Sequence, residues 1–265
     1  MNGERPEHRL ARLLLPLCLL ALVVVGWQMA VTVFAVPRIV LPSPAEVLGS
    51  AARHGGTLTS STAATAGRVL AGFVLSVALA IPLAVLVVQF AFMERAVYPL
   101  LTLSQTIPKV ALAPLFVVWL GTGAVSQMAF AAMVAFFPIF IDTLVGLRAV
   151  PPEMLLLARS MGATTLQSFV KIRLPHALPN IFAGLKVGAT LSVIGSIVAE
   201  WVGGDTGLAL VLLRADALLD TALAFAALVL LAVMGMAFFA LIRGLERVLS
   251  PSRTAREQGD VAKTM

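Results

Sequence analysis

Four ionisable residues, Lys109, Asp142, Lys186 and Glu200, stand in or near stretches otherwise suited to lipid. A charge in a bilayer core costs about 3 kcal/mol unless it faces protein, water or a partner, so each marks a structural pair, an interfacial group or a polar path across the membrane. Lys109 follows Ile107-Pro108, where the proline breaks the helical hydrogen-bond pattern of a span. It either lines a translocation path, sits in a structural pair, or snorkels along the kink. Asp142 faces that path or pairs with Arg148 or Arg173. Glu200, beside Trp201, faces the path or meets water at the interface, where tryptophan concentrates. Lys186, near a helix end, is read as snorkelling.

Other chemistry is missing from the chain. No Gly-x-x-x-x-Gly-Lys-Ser/Thr phosphate loop, His-Glu-x-x-His pair or Gly-x-Ser-x-Gly elbow occurs, and His8, His54 and His176 are scattered through the tail and loops. The single cysteine, Cys18, allows no intrachain disulfide and reads as a buried, inert thiol. The chain is therefore expected to bind no metal or cofactor and to be no enzyme.

The segment Val150 to Asn180, VPPEMLLLARSMGATTLQSFVKIRLPHALPN, is amphipathic and basic between two apolar runs. Pro151-Pro152-Glu153 is a helix start, with an acid at the positive end of the dipole. Met154, Leu157, Ala158 and Met161 recur at helical spacing as one apolar face. Gly162 follows where a left-handed cap stops a helix. Thr164 or Thr165 can cap a second short helix carrying Leu166, Phe169 and Val170, which Leu174-Pro175 ends before the next span. The product is a helix-turn-helix knob on one membrane face, either docking a partner or lying on the membrane surface.

That knob resembles the cytoplasmic coupling loop of ABC-importer permeases. Their pattern is Glu-Ala-Ala, three residues, Gly, nine residues, Ile, one residue, Leu-Pro; Ala158, Gly162, Ile172, Leu174 and Pro175 match, whereas Leu156 and Leu157 do not. Ile107 to Leu115 and Ala199 to Gly203 also resemble the branch importing nitrate, sulfonates, taurine and thiamine pyrimidine precursors. The resemblance implies a homodimeric permease served by two ATPase subunits, which use the ATP, and by an extracytoplasmic solute-binding protein. It implies ATPase-coupling roles for Glu153, Leu157, Ala158, Met161, Gly162, Ile172, Leu174 and Pro175; the family's acid is missing at Leu156, and Glu153 lies three positions upstream in the same helix. Ala199 to Gly204 and Thr206-Gly207-Leu208 look most like permeases for thiamine pyrimidine precursors, with sulfonate, taurine or nitrate as competitors. A channel or ion-coupled secondary transporter would account for the spans but not for the motif spacing.

The elements that must position these residues follow from composition. With 60% hydrophobic and 12% charged residues and a mean hydropathy of +0.99, this is a polytopic membrane protein. The net charge of +6 fits cytoplasmic loops rather than nucleic acid, because no basic and aromatic residues interleave. Six segments reach the roughly 20 residues that span a bilayer: Leu13 to Val36, Val69 to Phe92, Tyr98 to Leu120, Ala124 to Leu147, Phe182 to Trp201 and Ala222 to Ile242. Arg38, Arg53 and Arg214 fall outside, Arg68, Lys109 and Lys186 in or near spans, and every other lysine and arginine shares the N-terminal side. Both termini and the Val150 to Asn180 loop are then cytoplasmic. The expected architecture is all-α: a permease domain over 1–250 with six transmembrane helices and the coupling loop at 150–180, then a disordered cytoplasmic tail over 251–265. Ser43 and Pro44 should start a short interfacial helix on the outer side. Its place is the inner membrane of a cell.

Overall fold

The computed structural model describes residues 6–249 apart from 91, 93–102, 104 and 105. Among them every regular element is helical. The order is α1 (Pro6–Val33), α2 (Pro44–Arg53), α3 (Gly55–Gln89), a 3-10 turn (Lys109–Leu112) running into α4 (Ala113–Leu120), α5 (Ala124–Arg148), α6 (Pro152–Ser160), α7 (Thr165–Ser168), a π turn (Phe169–Arg173) leading into α8 (Leu174–Gly203), α9 (Leu208–Ala217) and α10 (Thr221–Leu249). Helices α3, α5, α10 and the continuous run Thr165–Gly203 are each long and apolar enough to cross a membrane; Cys18–Val33 and Lys109–Leu120 are shorter apolar helices. These six apolar segments fall where the six spans were expected. Residues 98–102, 104 and 105 of the third, and the tail over 251–265, lie outside the described residues.

The core forms where α5 lies between α3 and α8, and small residues let the three backbones close. A methyl group added at Gly72 would come within 2.8 Å of the Ala131 Cβ, and one at Gly195 within 2.9 Å of the Ala131 Cα. One alanine of α5 therefore fills the space two glycines vacate, the close approach by which helices associate in lipid. Phe73, Ile139, Phe140 and Phe182 seal the layer below. Phe238 of α10 meets Phe73 edge to face at 5.0 Å, an orientation that suits the ring quadrupoles.

A second cluster joins Val47 of α2, Leu58 of α3, Leu208 and Val211 of α9, and Leu231 of α10. Helix α2 starts as its sequence predicts: Ser43 and Glu46 form a capping box, with the Ser43 N–H donating to Glu46 Oε2 at 2.9 Å.

Three expectations are corrected. Helix α3 begins at Gly55, well before Val69; in the polar Gly55 to Arg68 stretch the Thr59 and Thr62 hydroxyls are satisfied on the Gly55 and Leu58 carbonyls, and Thr65 and Arg68 have buried partners that hold the stretch in place. Leu174-Pro175 does not end the second coupling helix. The π turn lets the chain pass Pro175, whose ring would clash with the carbonyl four residues back, and the Leu174 N–H reaches Phe169 O instead. Cys18 is exposed on the surface of α1, not buried.

Candidate functional site: a capped loop and a buried clasp

The docking loop is held by its own backbone. Helix α6 ends in a Schellman motif: Gly162, at φ +79°, donates to Arg159 O at 2.9 Å and Ala163 donates to Ala158 O at 3.0 Å. Nothing lies within 4 Å of where a Gly162 side chain would sit, so the glycine is required by conformation rather than by space. Thr164 then caps α7 in a capping box with Gln167, its N–H donating to Gln167 Oε1 at 2.9 Å.

Of the four residues on the predicted apolar face, Ala158 turns inward and is buried, while Met154, Leu157 and Met161 are 47%, 62% and 79% exposed. Glu153 is exposed in the first turn of α6. Ile172 lies half-buried in the π turn, Leu174 packs with Leu147, Ala177 and Ile181, and Pro175 opens α8. The loop thus combines a fixed backbone with an uncovered apolar face.

At the other end of α8 lies a clasp that spacing alone did not reveal. Glu200 is fully buried. Its Oε1 accepts from Thr65 Oγ1 at 2.7 Å and its Oε2 from the Ala209 N–H at 2.9 Å, with Arg68 Nη1 at 3.6 Å. Thr65 Oγ1 also accepts from the Leu208 N–H at 2.9 Å, so two unpaired donors at the start of α9 are satisfied from α3 and α8. Arg68 ties down the Gly203 to Gly207 turn through the Thr206 carbonyl and hydroxyl, both at 2.6 Å, and Asp205 Oδ1 at 3.1 Å. A hydrogen bond from its own N–H, outweighing burial and aided by the Arg68 charge, holds the Asp205 carboxyl below its usual pKa. Gly207, at φ +126°, passes so close to the Glu200 carboxyl that no side chain fits.

The sequence placed Glu200 either on a path or in interfacial water; it meets protein on every side. The missed partners are Thr65, Arg68, Asp205 and Thr206. Their only trace in the sequence is an arginine beside a span and a glycine-rich turn holding Asp-Thr.

The model of the binding-protein-dependent transport system inner membrane component matches residues 72–254 of this chain. The chain belongs to that family. The permease is 38% identical to the riboflavin transport system permease protein RibX of Chloroflexus aurantiacus over 232 residues, 87% of each chain. It is 35% identical over 239 residues to the formylaminopyrimidine transport permease protein ThiX of Halalkalibacterium halodurans, covering 90% of this chain and 95% of that one. Its fold matches a chain from inward-facing structures of the MetNI methionine ABC transporter with a TM-score of 0.59 at 19% identity, over 72% of this chain and 97% of that one. The permease is accordingly a multi-pass inner-membrane transport subunit.

The remaining intramembrane charges of the permease fall apart into different settings. Lys109 opens the 3-10 turn after an extended Pro108, rather than sitting within a long helix, and its Nζ lies 4.8 Å from the centre of the Phe137 ring. Asp142 is half-buried on α5 against Gly184 of α8, and it hydrogen-bonds or ion-pairs with no other described residue, Arg148 and Arg173 included. Lys186 does not snorkel: its Nζ donates to Glu246 of α10 at 3.1 and 3.3 Å, an interhelical ion pair with a residue 60 positions away. The structure therefore does not bring Lys109, Asp142 and Glu200 together as one site.

Proposed function

We propose that this permease works as a pair of identical chains, each presenting its α6–α7 loop to a separate ATPase subunit, with a binding protein delivering solute to the opposite face. Both termini and the loop are cytoplasmic in this reading, as the lysine and arginine distribution favours. The ATP is bound and spent by the partner, and this chain contributes the path. The observation that carries the reading is the exposed Met154, Leu157 and Met161 face on a helix whose end is fixed by the Gly162 turn. Apolar side chains on a rigid mount suit insertion into a protein groove.

The cargo we assign is a small solute bearing a pyrimidine-type ring, foremost a thiamine pyrimidine precursor. Support comes from extensive similarity to permeases named for formylaminopyrimidine and for riboflavin, whose ring system also contains a fused pyrimidine. Sulfonate is the competing cargo, supported by 30% identity over 257 residues to a putative aliphatic sulfonates transport permease of Bacillus subtilis.

Replacing Leu157 and Met161 together by aspartate should abolish co-purification of the cognate ATPase and leave the melting temperature of the permease within about 2 °C, since both residues are exposed. Retained ATPase binding in that variant overturns the docking role. Uptake of labelled formylaminopyrimidine, riboflavin and taurine into vesicles holding the complete transporter decides the cargo. In the same vesicles Lys109→Met keeps an unbranched chain and removes the charge. Uptake should fall severalfold with ATPase binding intact; unchanged uptake removes Lys109 from the path.

A further inference from the structure

Between the inner end of α3 and the coupling loop lies a pocket of about 610 Å³, within the range of small-ligand sites. Its polar lining is Arg159 of α6, Arg173 of the π turn, Gln89 of α3, and Thr165 and Ser168 of α7. Among the described lining residues there are two guanidinium groups and no carboxylate. Neither guanidinium forms a hydrogen bond or ion pair with a described residue, and the Ser168 Oγ is buried without a partner among them. Two guanidinium groups facing one concave surface without a described counter-charge, beside a buried hydroxyl with no described partner, make a site that favours an anion.

The rest of the lining sets the kind of anion. Val85 and Val88 on α3, Leu155 on α6 and Phe169 form an apolar wall on the membrane side of the coupling loop. A free inorganic anion would leave that wall wet, whereas an amphiphile would cover it with its tail while its phosphate meets the two arginines.

We propose that this pocket binds the phosphate of an anionic phospholipid, with Arg159 and Arg173 as its ligands and the α3 valines as the seat of its acyl chain. The bound lipid bridges the coupling loop to α3, two elements joined in this region by no hydrogen bond between their described side chains. The proposal is independent of whether an ATPase docks on the opposite face of α6, and it rests on the cytoplasmic assignment only for which leaflet supplies the lipid.

The test uses the full-length chain in nanodiscs of phosphatidylcholine containing phosphatidylglycerol, with native mass spectrometry counting retained lipids. The wild-type chain should retain one phosphatidylglycerol with a clear preference over phosphatidylcholine, and Arg159→Gln with Arg173→Gln should weaken that preference about thirtyfold. Arg173→Lys, which keeps the charge, should retain most of it and guards against a double variant that folds poorly. Equal preference in wild type and double variant overturns the proposal. In a second arm, millimolar inorganic phosphate should neither compete with the lipid nor raise the melting temperature. If free phosphate displaces the lipid from the arginines, the lipid assignment fails and a soluble phosphate is the ligand. No arm measures transport or ATPase binding, so its outcome is separate from that of the docking experiment.

Discussion

The coupling loop and the outer clasp solve opposite problems with the same residue type at the turning point. In the loop, Gly162 makes a left-handed turn with open space around it, and every bond that fixes the turn joins residues at most five apart. In the clasp, Gly207 makes a positive-φ turn against a buried carboxylate, and the bonds that fix it reach back to Thr65 and Arg68 on α3. The loop is self-sufficient and leaves its side chains free for a partner. The clasp turns Thr65, Arg68 and Glu200 inward onto one another and leaves only Asp205 and Thr206 exposed at its rim. A membrane transporter that must be rigid at both ends can therefore achieve rigidity by local capping where a surface must stay available, and by long-range burial where it need not.

Identical substitutions in the two turns break that comparison most sharply. Gly207→Val drives a side chain into the Glu200 carboxyl, disrupting a buried network in which loss of one charged partner costs about 3 to 5 kcal/mol. The expected result is a fall in melting temperature of about 10 °C or more, with loss of yield. Gly162→Val meets no neighbour and pays only for its left-handed backbone, about 1 to 2 kcal/mol. That protein should reach the membrane with a melting temperature a few degrees lower, yet uptake should fall at least tenfold because α7 is misplaced. Equal stability losses in the two variants would erase the distinction between local and long-range fixation.

The smallest effect concerns the cap of α2, whose bonds are local like those of the coupling loop. The Ser43 N–H bond to Glu46, outweighing desolvation and aided by the Ser43 hydroxyl and Arg38, lowers the Glu46 pKa below its ordinary 4.5. A carboxyl whose folded pKa is depressed adds stability above its unfolded value and loses it as pH falls through the folded one. Thermal scans from pH 7 down to 3 should show a slight acid-side decline starting below about pH 4.5 that Glu46→Gln flattens. An unaltered acid limb in that variant would mean that the cap contributes nothing through its charge.

Legibility in the sequence follows the same division. Gly162, a cap at Thr164 or Thr165 and the Ser43-Pro44 start of α2 were readable because capping rules are local, and α5 was placed within a residue because its length is largely apolar. The inner half of the permease and its family motif were readable for that reason. Glu200 and Lys186 were visible as charges, but their partners Thr65, Arg68 and Glu246 lie 60 or more positions away, and no periodicity carries such information. The early start of α3 escaped because hydropathy reports lipid-facing surface, while Thr65 and Arg68 are buried in protein. The continuity through Pro175 escaped because a π turn is a backbone adjustment that leaves no residue signature of its own.

That continuity makes Thr165 to Gly203 a single 39-residue rod. At about 1.5 Å per residue it is roughly 58 Å long, with the docking loop at its foot and Glu200 near its head. In mechanical terms it is a lever without a joint at the membrane surface. If the rod pivots at the outer clasp, a tilt of about 5° swings its foot by roughly 5 Å, about one helical pitch. The proline expected to end the second short helix is instead bridged by the π turn, so the foot and the head of the rod belong to one continuous helical run.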